Sequence, residues 1–180
     1  RYGWRIWLSE LAGGGMVFYG GLIGGLLVLL LYLRRYNLPV RATLDAAAVA
    51  LPIGQAIGRL GCFSVGCCYG KPWEHGIALS HSHIAPRGIP LVPTQLIESA
   101  FCLLLSLALY LHFRKGSETG STVRLYLFLY GVFRFLIEFL RGDVLRGFIG
   151  PLSISQWISL AATAFAVLSH YRSLLSRQKA

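Results

Sequence analysis

Two stretches of the sequence are long enough to cross a bilayer without a charged side chain. The first runs from Leu11 to Leu33, over 23 residues, and the second from Gly147 to Tyr171, over 25. Because a membrane-spanning helix needs about 20 mostly apolar residues, both stretches indicate transmembrane helices. Charged residues make up 13% of the 180-residue chain, against about 25% in ordinary soluble domains. We therefore expect a membrane protein.

Three further apolar segments bring the number of predicted helices to about five. The helices cover residues 11–33, 45–62, 94–113, 122–140 and 152–171, and an outer loop covers residues 63–93. No alternating strand pattern competes with this assignment. The predicted fold class is an all-α polytopic membrane protein with a single transmembrane helical domain. Since the chain starts at Arg1 rather than Met, we expect its true beginning to be missing.

The basic residues follow the pattern of membrane topology. If the N-terminus lies outside, the inner segments carry nine of the 17 Lys and Arg residues and the outer segments carry six. Cytoplasmic loops are the basic ones in membrane proteins, so the predicted orientation is N-out and C-in. The net charge of +10 is explained in this way, and we expect no nucleic-acid partner.

Polar or glycine-rich segments then meet at the outer end of four helices, where we expect a polar pocket in the outer leaflet. In the fourth helix, Tyr130, Arg134, Glu138 and Arg141 share one predicted face. Arg134 and Glu138 can neutralise each other and merely hold the bundle together. That pairing leaves an excess of guanidinium groups, at Arg59 and Arg141. Arginine suits phosphate, so the sequence favours a site for a phospholipid headgroup.

The stretch GRLGCFSVGCCYGKP carries Cys62, Cys67 and Cys68. Their C-x4-C-C spacing differs from the C-x2-C pairs of structural zinc sites. A disulfide and a metal site completed by loop histidines stay open as alternatives, but small-residue packing is the favoured role. We expect no metal and no cofactor, and we expect Cys102 to lie in the core.

Four sequence segments resemble those of the prolipoprotein diacylglyceryl transferase family. The four segments are GQAIGRLGCFSVGCCYGKP, VPTQLIE, YGVFRFLIEFLR and SISQWISL, and they occur in the family's order. A Gly-rich element, GGGMVFYGG, precedes them. The chain is similar to a divergent, cysteine-containing member whose first helices are missing. The family's usual His in the Gly-rich element is Tyr19 here, and Cys62 and Cys67 stand where the family has Asn and Glu.

The resemblance implies an enzyme of the bacterial inner membrane with its active face toward the outside. Such an enzyme transfers the diacylglyceryl group of phosphatidylglycerol to the lipobox cysteine of a prolipoprotein, so its partners are that lipid, the lipobox peptide and the surrounding membrane lipids. The implied catalytic residues are Arg59, Arg134, Glu138 and Tyr19. The implied lipid-binding residues are Arg59, Arg134, Arg141, Gln95, Glu98, Gly61 and Gly70.

Two other functions remain open at this point. One is a related enzyme that uses phosphatidylglycerol with a different acceptor. The other is a non-catalytic, lipid-binding subunit of a membrane complex, which would have other membrane subunits as partners.

Overall fold

The computed structural model describes residues 15–142 and 147–178. Within these residues, the protein consists of five long helices, one short 3-10 turn and two pairs of strands. In chain order they are α1 (Gly15–Arg35), α2 (Val40–Val65), β1 (Pro72–Ala78), β2 (Pro90–Leu91), α3 (Thr94–Arg114), α4 (Ser121–Ile137), the 3-10 turn (Glu138–Leu140), β3 (Phe148–Ile149), β4 (Leu152–Ser153) and α5 (Ile154–Gln178).

The chain divides into two units, residues 1–43 and residues 44–180. In the first unit, α1 ends in Arg34 and Arg35, whose positive charges are favourable at a helix C-terminus. The chain then turns at Asn37, with φ at 52°, a left-handed conformation that Asn tolerates better than most residues. The predicted start of this helix at residue 11 and the side chain of Tyr19 lie outside the described residues.

In the second unit, the helices bury polar side chains and expose apolar ones. Helix α3 buries Gln95, Glu98 and Ser106, while Leu104 and Leu107 are 68% and 56% exposed. This arrangement is typical of a membrane protein, because polar groups must turn away from lipid and find partners inside the bundle.

Three helices are long and apolar enough to cross a membrane, on the described residues: Val40–Val65, Thr94–Arg114 and Ile154–Ser176. Together with α1 and α4 they form an all-α polytopic membrane protein, as predicted. Helix α4 is shorter than predicted, with 17 residues, because the chain tightens into the 3-10 turn at Glu138.

Buried polar contacts tie the helices of the second unit together. The carboxylate of Asp45 on α2 accepts hydrogen bonds from the backbone N–H groups of Gly120 and Val123. It therefore caps the N-terminus of α4, where Gly120 has no side chain to do so. At the α4–α5 contact, a Cβ added to Gly131 would lie 2.4 Å from Thr163 Oγ1, so the small residue allows close helix approach.

The segment between α2 and α3 contains β1 and β2, which pair antiparallel and which the sequence did not predict. Leu79, Ala85 and Leu91 form a small core beneath it. The hydroxyl of Ser82 donates to the carbonyl oxygens of Val65 and Gly66. This segment is therefore packed against the end of α2.

Candidate functional site

The end of helix α2 positions the cysteine-containing stretch. Gly66 has a left-handed backbone conformation, with φ at 76°. Its N–H donates to the Phe63 carbonyl over 3.1 Å, and the Cys67 N–H donates to the Cys62 carbonyl over 3.1 Å. This pair of bonds is the Schellman motif that ends many helices at a glycine. The sequence C-x3-G-C therefore turns the chain back so that Cys67 returns to Cys62.

Three helices meet at the carboxylate of Glu98. Its Oε1 lies 2.9 Å from the guanidinium NH2 of Arg59, and the Tyr130 hydroxyl donates to the same oxygen over 3.3 Å. The Glu98 side chain is 4% exposed, whereas the Arg59 side chain is 19% exposed. The carboxylate is therefore internal and holds a guanidinium that stays partly open to its surroundings.

A second ionic group lies where α4 ends. Arg134 donates to Glu138 over 2.6 Å and to the hydroxyl of Ser155 on α5 over 3.1 Å. Arg141 lies 3.7 Å from the same Glu138 oxygen. Since Tyr130 and Arg134 are four residues apart on α4, one helical turn separates the two ionic groups.

These contacts correct the expectation that Arg59 and Arg141 are unmatched. Arg59 pairs with Glu98, and Arg141 pairs with Glu138. The Arg59–Glu98 pair was not predicted because the i, i+4 pair on α4 is visible in the sequence pattern, whereas a contact between α2 and α3 is not. The two ionic groups together contain three guanidinium groups and two carboxylates. They therefore carry one excess positive charge.

Arg141 also differs from the prediction that it shares a helical face with Arg134. The helix ends before it, and Arg141 has an extended backbone with ψ at 139°. Its backbone forms an isolated β-bridge with Gly70. The Lys71 N–H donates to the Leu140 carbonyl over 2.8 Å, and the Gly142 N–H donates to the Tyr69 carbonyl over 3.0 Å. The end of the cysteine stretch is therefore fixed to the end of α4.

Gln95 supports the turn rather than standing free at a surface. Its Nε2 donates to the Cys67 carbonyl over 2.7 Å, and the neighbouring Thr94 hydroxyl donates to the Cys68 carbonyl over 2.9 Å. The Gln95 Oε1 atom is buried and has no hydrogen-bond partner among the described residues. An unpartnered buried acceptor of this kind is uncommon in folded proteins.

The two glycines of the predicted lipid-binding set differ in their surroundings. A Cβ added to Gly70 would lie 2.5 Å from the Val92 carbonyl oxygen. A Cβ added to Gly61 would have no atom of the described residues within 4 Å. Gly70 is therefore required by packing. Gly61 has room beside it.

The three cysteines of the stretch form a cluster, an arrangement that their spacing left open but did not favour. The Sγ atoms of Cys62, Cys67 and Cys68 all lie within 4.8 Å of one another. Burial and the neighbouring Cys68 raise the pKa of the Cys67 thiol above its ordinary value, so Cys67 is not an activated nucleophile. The signal that could have revealed the cluster is Gly66, which marks the helix end.

The four cysteines of the chain, all of them among the described residues, are thiols. Cys102 is fully buried, as predicted, and lies 4.0 Å from Gln55 Oε1. The loop histidines make other contacts: His81 lies 3.4 Å from the Phe63 carbonyl, and His83 lies 3.0 Å from Arg87. The metal-ligand cluster in the described residues is therefore composed of cysteines alone.

A cavity of about 360 Å³ lies away from the ionic groups. Its lining includes His112 from the end of α3, Ser121 from the start of α4 and Ala166 from α5. Glu98 and Arg134 lie at the opposite ends of α3 and α4. The cavity therefore belongs to the other end of the bundle and contains none of the predicted site residues.

Comparison with known proteins identifies related sequences. A sequence model of the prolipoprotein diacylglyceryl transferase family matches residues 4–172. The phosphatidylglycerol–prolipoprotein diacylglyceryl transferase of Clostridium tetani (strain Massachusetts / E88) is 43% identical over 150 residues, which are 82% of this chain and 60% of the relative. Transferase 2 of the same description from Clostridium perfringens (strain 13 / Type A) is 40% identical, over 82% of this chain and 58% of the relative.

A more distant relative of the same description comes from Leptospira interrogans serogroup Icterohaemorrhagiae serovar copenhageni (strain Fiocruz L1-130). It is 36% identical over 145 residues, which are 76% of this chain and 44% of the relative. The chain thus spans less than two thirds of the length of each of these three relatives.

Proposed function

The chain belongs to the prolipoprotein diacylglyceryl transferase family, and on that premise we propose that the protein transfers the diacylglyceryl group of phosphatidylglycerol to the lipobox cysteine of a prolipoprotein. The relatives are named for this reaction. The observation that carries the proposal for this chain is the Arg59–Glu98 pair, a partly accessible guanidinium oriented by a buried carboxylate.

The proposed reaction is a displacement at carbon. The sulfur of the acceptor cysteine forms a bond to the glyceryl carbon next to phosphate, and the C–O bond to phosphate breaks. Glycerol phosphate leaves with the electron pair of that bond, and the thiol proton passes to a base or to water. The leaving group gathers negative charge, so fixed guanidinium groups stabilise the transition state.

The described residues supply such groups. Arg59, held by Glu98, and Arg134, held by Glu138 and Ser155, are the proposed phosphate ligands. Planar guanidinium groups suit phosphate oxygens. Because both carboxylates are nearly inaccessible, a bound phosphate would meet the arginines rather than the acids.

The remaining predicted residues take supporting roles in the proposal. Arg141 adds charge beside Glu138, and Gln95 supports the site by holding the turn at Cys67 through its side-chain amide. The role of Tyr19 as the general base rests on the family resemblance alone. Gly61, with open space beside it among the described residues, is the glycine proposed to line the site, and Gly70 allows the turn to pack against Val92.

The protein is a membrane protein, and we propose the bacterial inner membrane with the site toward the outside. The distribution of Lys and Arg supports the N-out, C-in orientation. Phosphatidylglycerol and the lipobox peptide are the proposed partners.

The experiment uses the purified full-length protein with phosphatidylglycerol and a synthetic lipobox peptide. We expect the peptide mass to rise by one diacylglyceryl group, with release of glycerol phosphate, and we expect no reaction when Ser replaces the acceptor cysteine. If phosphatidylglycerol binds but neither product forms, the transferase proposal is wrong and a lipid-binding subunit is favoured. Glycerol phosphate release without peptide modification would indicate a different acceptor.

A further inference from the structure

The cysteine cluster is not used by the proposed transfer reaction, although its geometry is well defined. The three thiols of Cys62, Cys67 and Cys68 converge because the Schellman turn at Gly66 folds the chain back. Cys68 itself is left-handed, with φ at 58°. Non-glycine residues in this conformation are strained and cluster at functional sites.

Buried side chains hold the backbone of this turn. The carbonyl oxygens of residues 65 to 68 accept hydrogen bonds from Ser82, Gln95 and Thr94. Each of these three side chains belongs to a residue that is 1% exposed. A turn fixed at every carbonyl presents its thiols in one arrangement, as a preorganised ligand set requires.

The distances within the cluster fit a metal ion. Thiolate sulfurs bind zinc at about 2.3 Å, which sets neighbouring sulfurs roughly 3.8 Å apart in tetrahedral geometry. The three Sγ atoms here lie within 4.8 Å of one another. Side-chain rotations that move each sulfur by less than about 1 Å would bring the three sulfurs to the spacing that zinc requires. Soft thiolate ligands select ions such as Cu(I) and Zn(II).

The charge of the surroundings also suits thiolate ligands. Arg59 precedes Cys62 by three residues on α2, so both side chains lie on the same helical face. Three thiolates around a monovalent or divalent cation leave a net negative charge. A guanidinium beside them offsets part of that charge.

We propose that Cys62, Cys67 and Cys68 form a three-thiolate site for a soft ion, Zn(II) or Cu(I). On binding, the ion replaces the thiol protons, which pass to water, and no electron transfer is required. Cu(I) is satisfied by three sulfurs, whereas Zn(II) takes a water as its fourth ligand. The spacing alone had favoured packing, and the convergence of the sulfurs reverses that preference.

The first test uses Cd(II) as a spectroscopic probe of the reduced, full-length protein. We expect a thiolate-to-metal charge-transfer band that saturates at one ion per chain. Replacing Cys62, Cys67 or Cys68 singly by Ser should weaken binding by at least roughly 100-fold, because even changes outside the ligand set cost 10- to 100-fold. Cys102→Ser, in the core of α3, is the matched control and should bind like the wild type. A band that survives the triple replacement would overturn the proposal.

The second test needs no variant and so does not depend on folding of the mutants. The wild-type protein is loaded with one equivalent of Zn(II) or Cu(I), treated with a thiol alkylating reagent, and analysed by peptide mass spectrometry. We expect at least one ion to protect the three cysteines together, and a chelator to restore their modification. The ion with the greater protection is the preferred one. Equal modification with and without both ions would show that no such site exists.

Discussion

The Arg59 guanidinium and the Glu98 carboxylate lie 2.9 Å apart and join helices α2 and α3. The pair orients the arginine while leaving part of it accessible. Since the carboxylate also accepts the Tyr130 hydroxyl, the orientation of Arg59 depends on three helices.

Removing the negative charge of Glu98 tests that dependence. In Glu98→Gln, Arg59 loses its ionic partner, so we expect the transfer rate to fall roughly 10- to 100-fold, since hydrogen bonds to charged groups contribute about 1.5–3 kcal/mol. Tyr130→Phe removes a weaker contact of about 0.5–1.5 kcal/mol and should lower the rate by roughly 2- to 10-fold. Initial rates with phosphatidylglycerol measure both. Glu118→Gln, at an exposed pair, is the control, and an equal loss there would contradict the assignment.

The two site glycines should respond differently to alanine. Gly70→Ala forces a Cβ against the Val92 carbonyl, and overpacking costs about 1–3 kcal/mol, so we expect a lower Tm. Gly61→Ala has open space among the described residues, and alanine is favoured over glycine within a helix by about 1 kcal/mol, so this change should not lower the Tm. Thermal unfolding in detergent compares the two. A Tm loss of the same size in Gly61→Ala would show that its side is packed in the whole protein.

Asp45 is predicted to stabilise α4 without taking part in transfer. Asp45→Ala leaves the Gly120 and Val123 N–H groups without their acceptor, and loss of a cap costs about 0.5–2 kcal/mol. We therefore expect a lower Tm but an unchanged rate per folded molecule. Glu74→Ala, on exposed β1, is the control for charge removal. A rate loss in Asp45→Ala that exceeds the loss of folded protein would contradict a purely structural role.

The proposed orientation makes a prediction for labelling in intact cells. A membrane-impermeant thiol reagent should modify Trp73→Cys, between α2 and α3, and should not modify Ser176→Cys, near the end of α5, unless the membrane is opened. Both substitutions are made with Cys62, Cys67 and Cys68 replaced by Ser, so that the native thiols do not react. Labelling of Ser176→Cys from outside would overturn the N-out, C-in orientation.

The positions of the helices could be predicted because a long run of uncharged, apolar residues can be read directly from the sequence. It placed the second helix at 45–62 and the third at 94–113, where the structure has Val40–Val65 and Thr94–Arg114. It overestimated the fourth because apolar residues continue through Phe139 and Leu140, although the backbone has already tightened into the 3-10 turn. Hydropathy shows where the apolar side chains are, but it does not distinguish the backbone hydrogen bonds of an α-helix from those of a 3-10 turn.

The site was only partly predictable because its pairs connect different helices. Arg134 and Glu138 follow helical spacing and were found. The Arg59–Glu98 pair depends on how α2 and α3 pack, which no local spacing encodes. The cysteine cluster was not favoured for a different reason, since the C-x4-C-C spacing was compared with that of known zinc sites and does not show that the turn at Gly66 brings the sulfurs together.

The most direct test of the account is phosphatidylglycerol binding by Arg59 variants of the full-length protein, measured by lipid exchange in detergent. Arg59→Ala should bind roughly 10- to 100-fold more weakly, as expected for one charge-assisted contact of about 1.5–3 kcal/mol, and Arg59→Lys should recover only part of that because an ammonium lacks the planar fork. The double variant Arg59→Gln/Glu98→Gln, which leaves no unpaired carboxylate, should bind as weakly as Arg59→Ala, and Arg114→Ala at the other end of α3 should bind normally. Wild-type affinity in Arg59→Ala and in the double variant would contradict the claim that Arg59 holds the lipid phosphate.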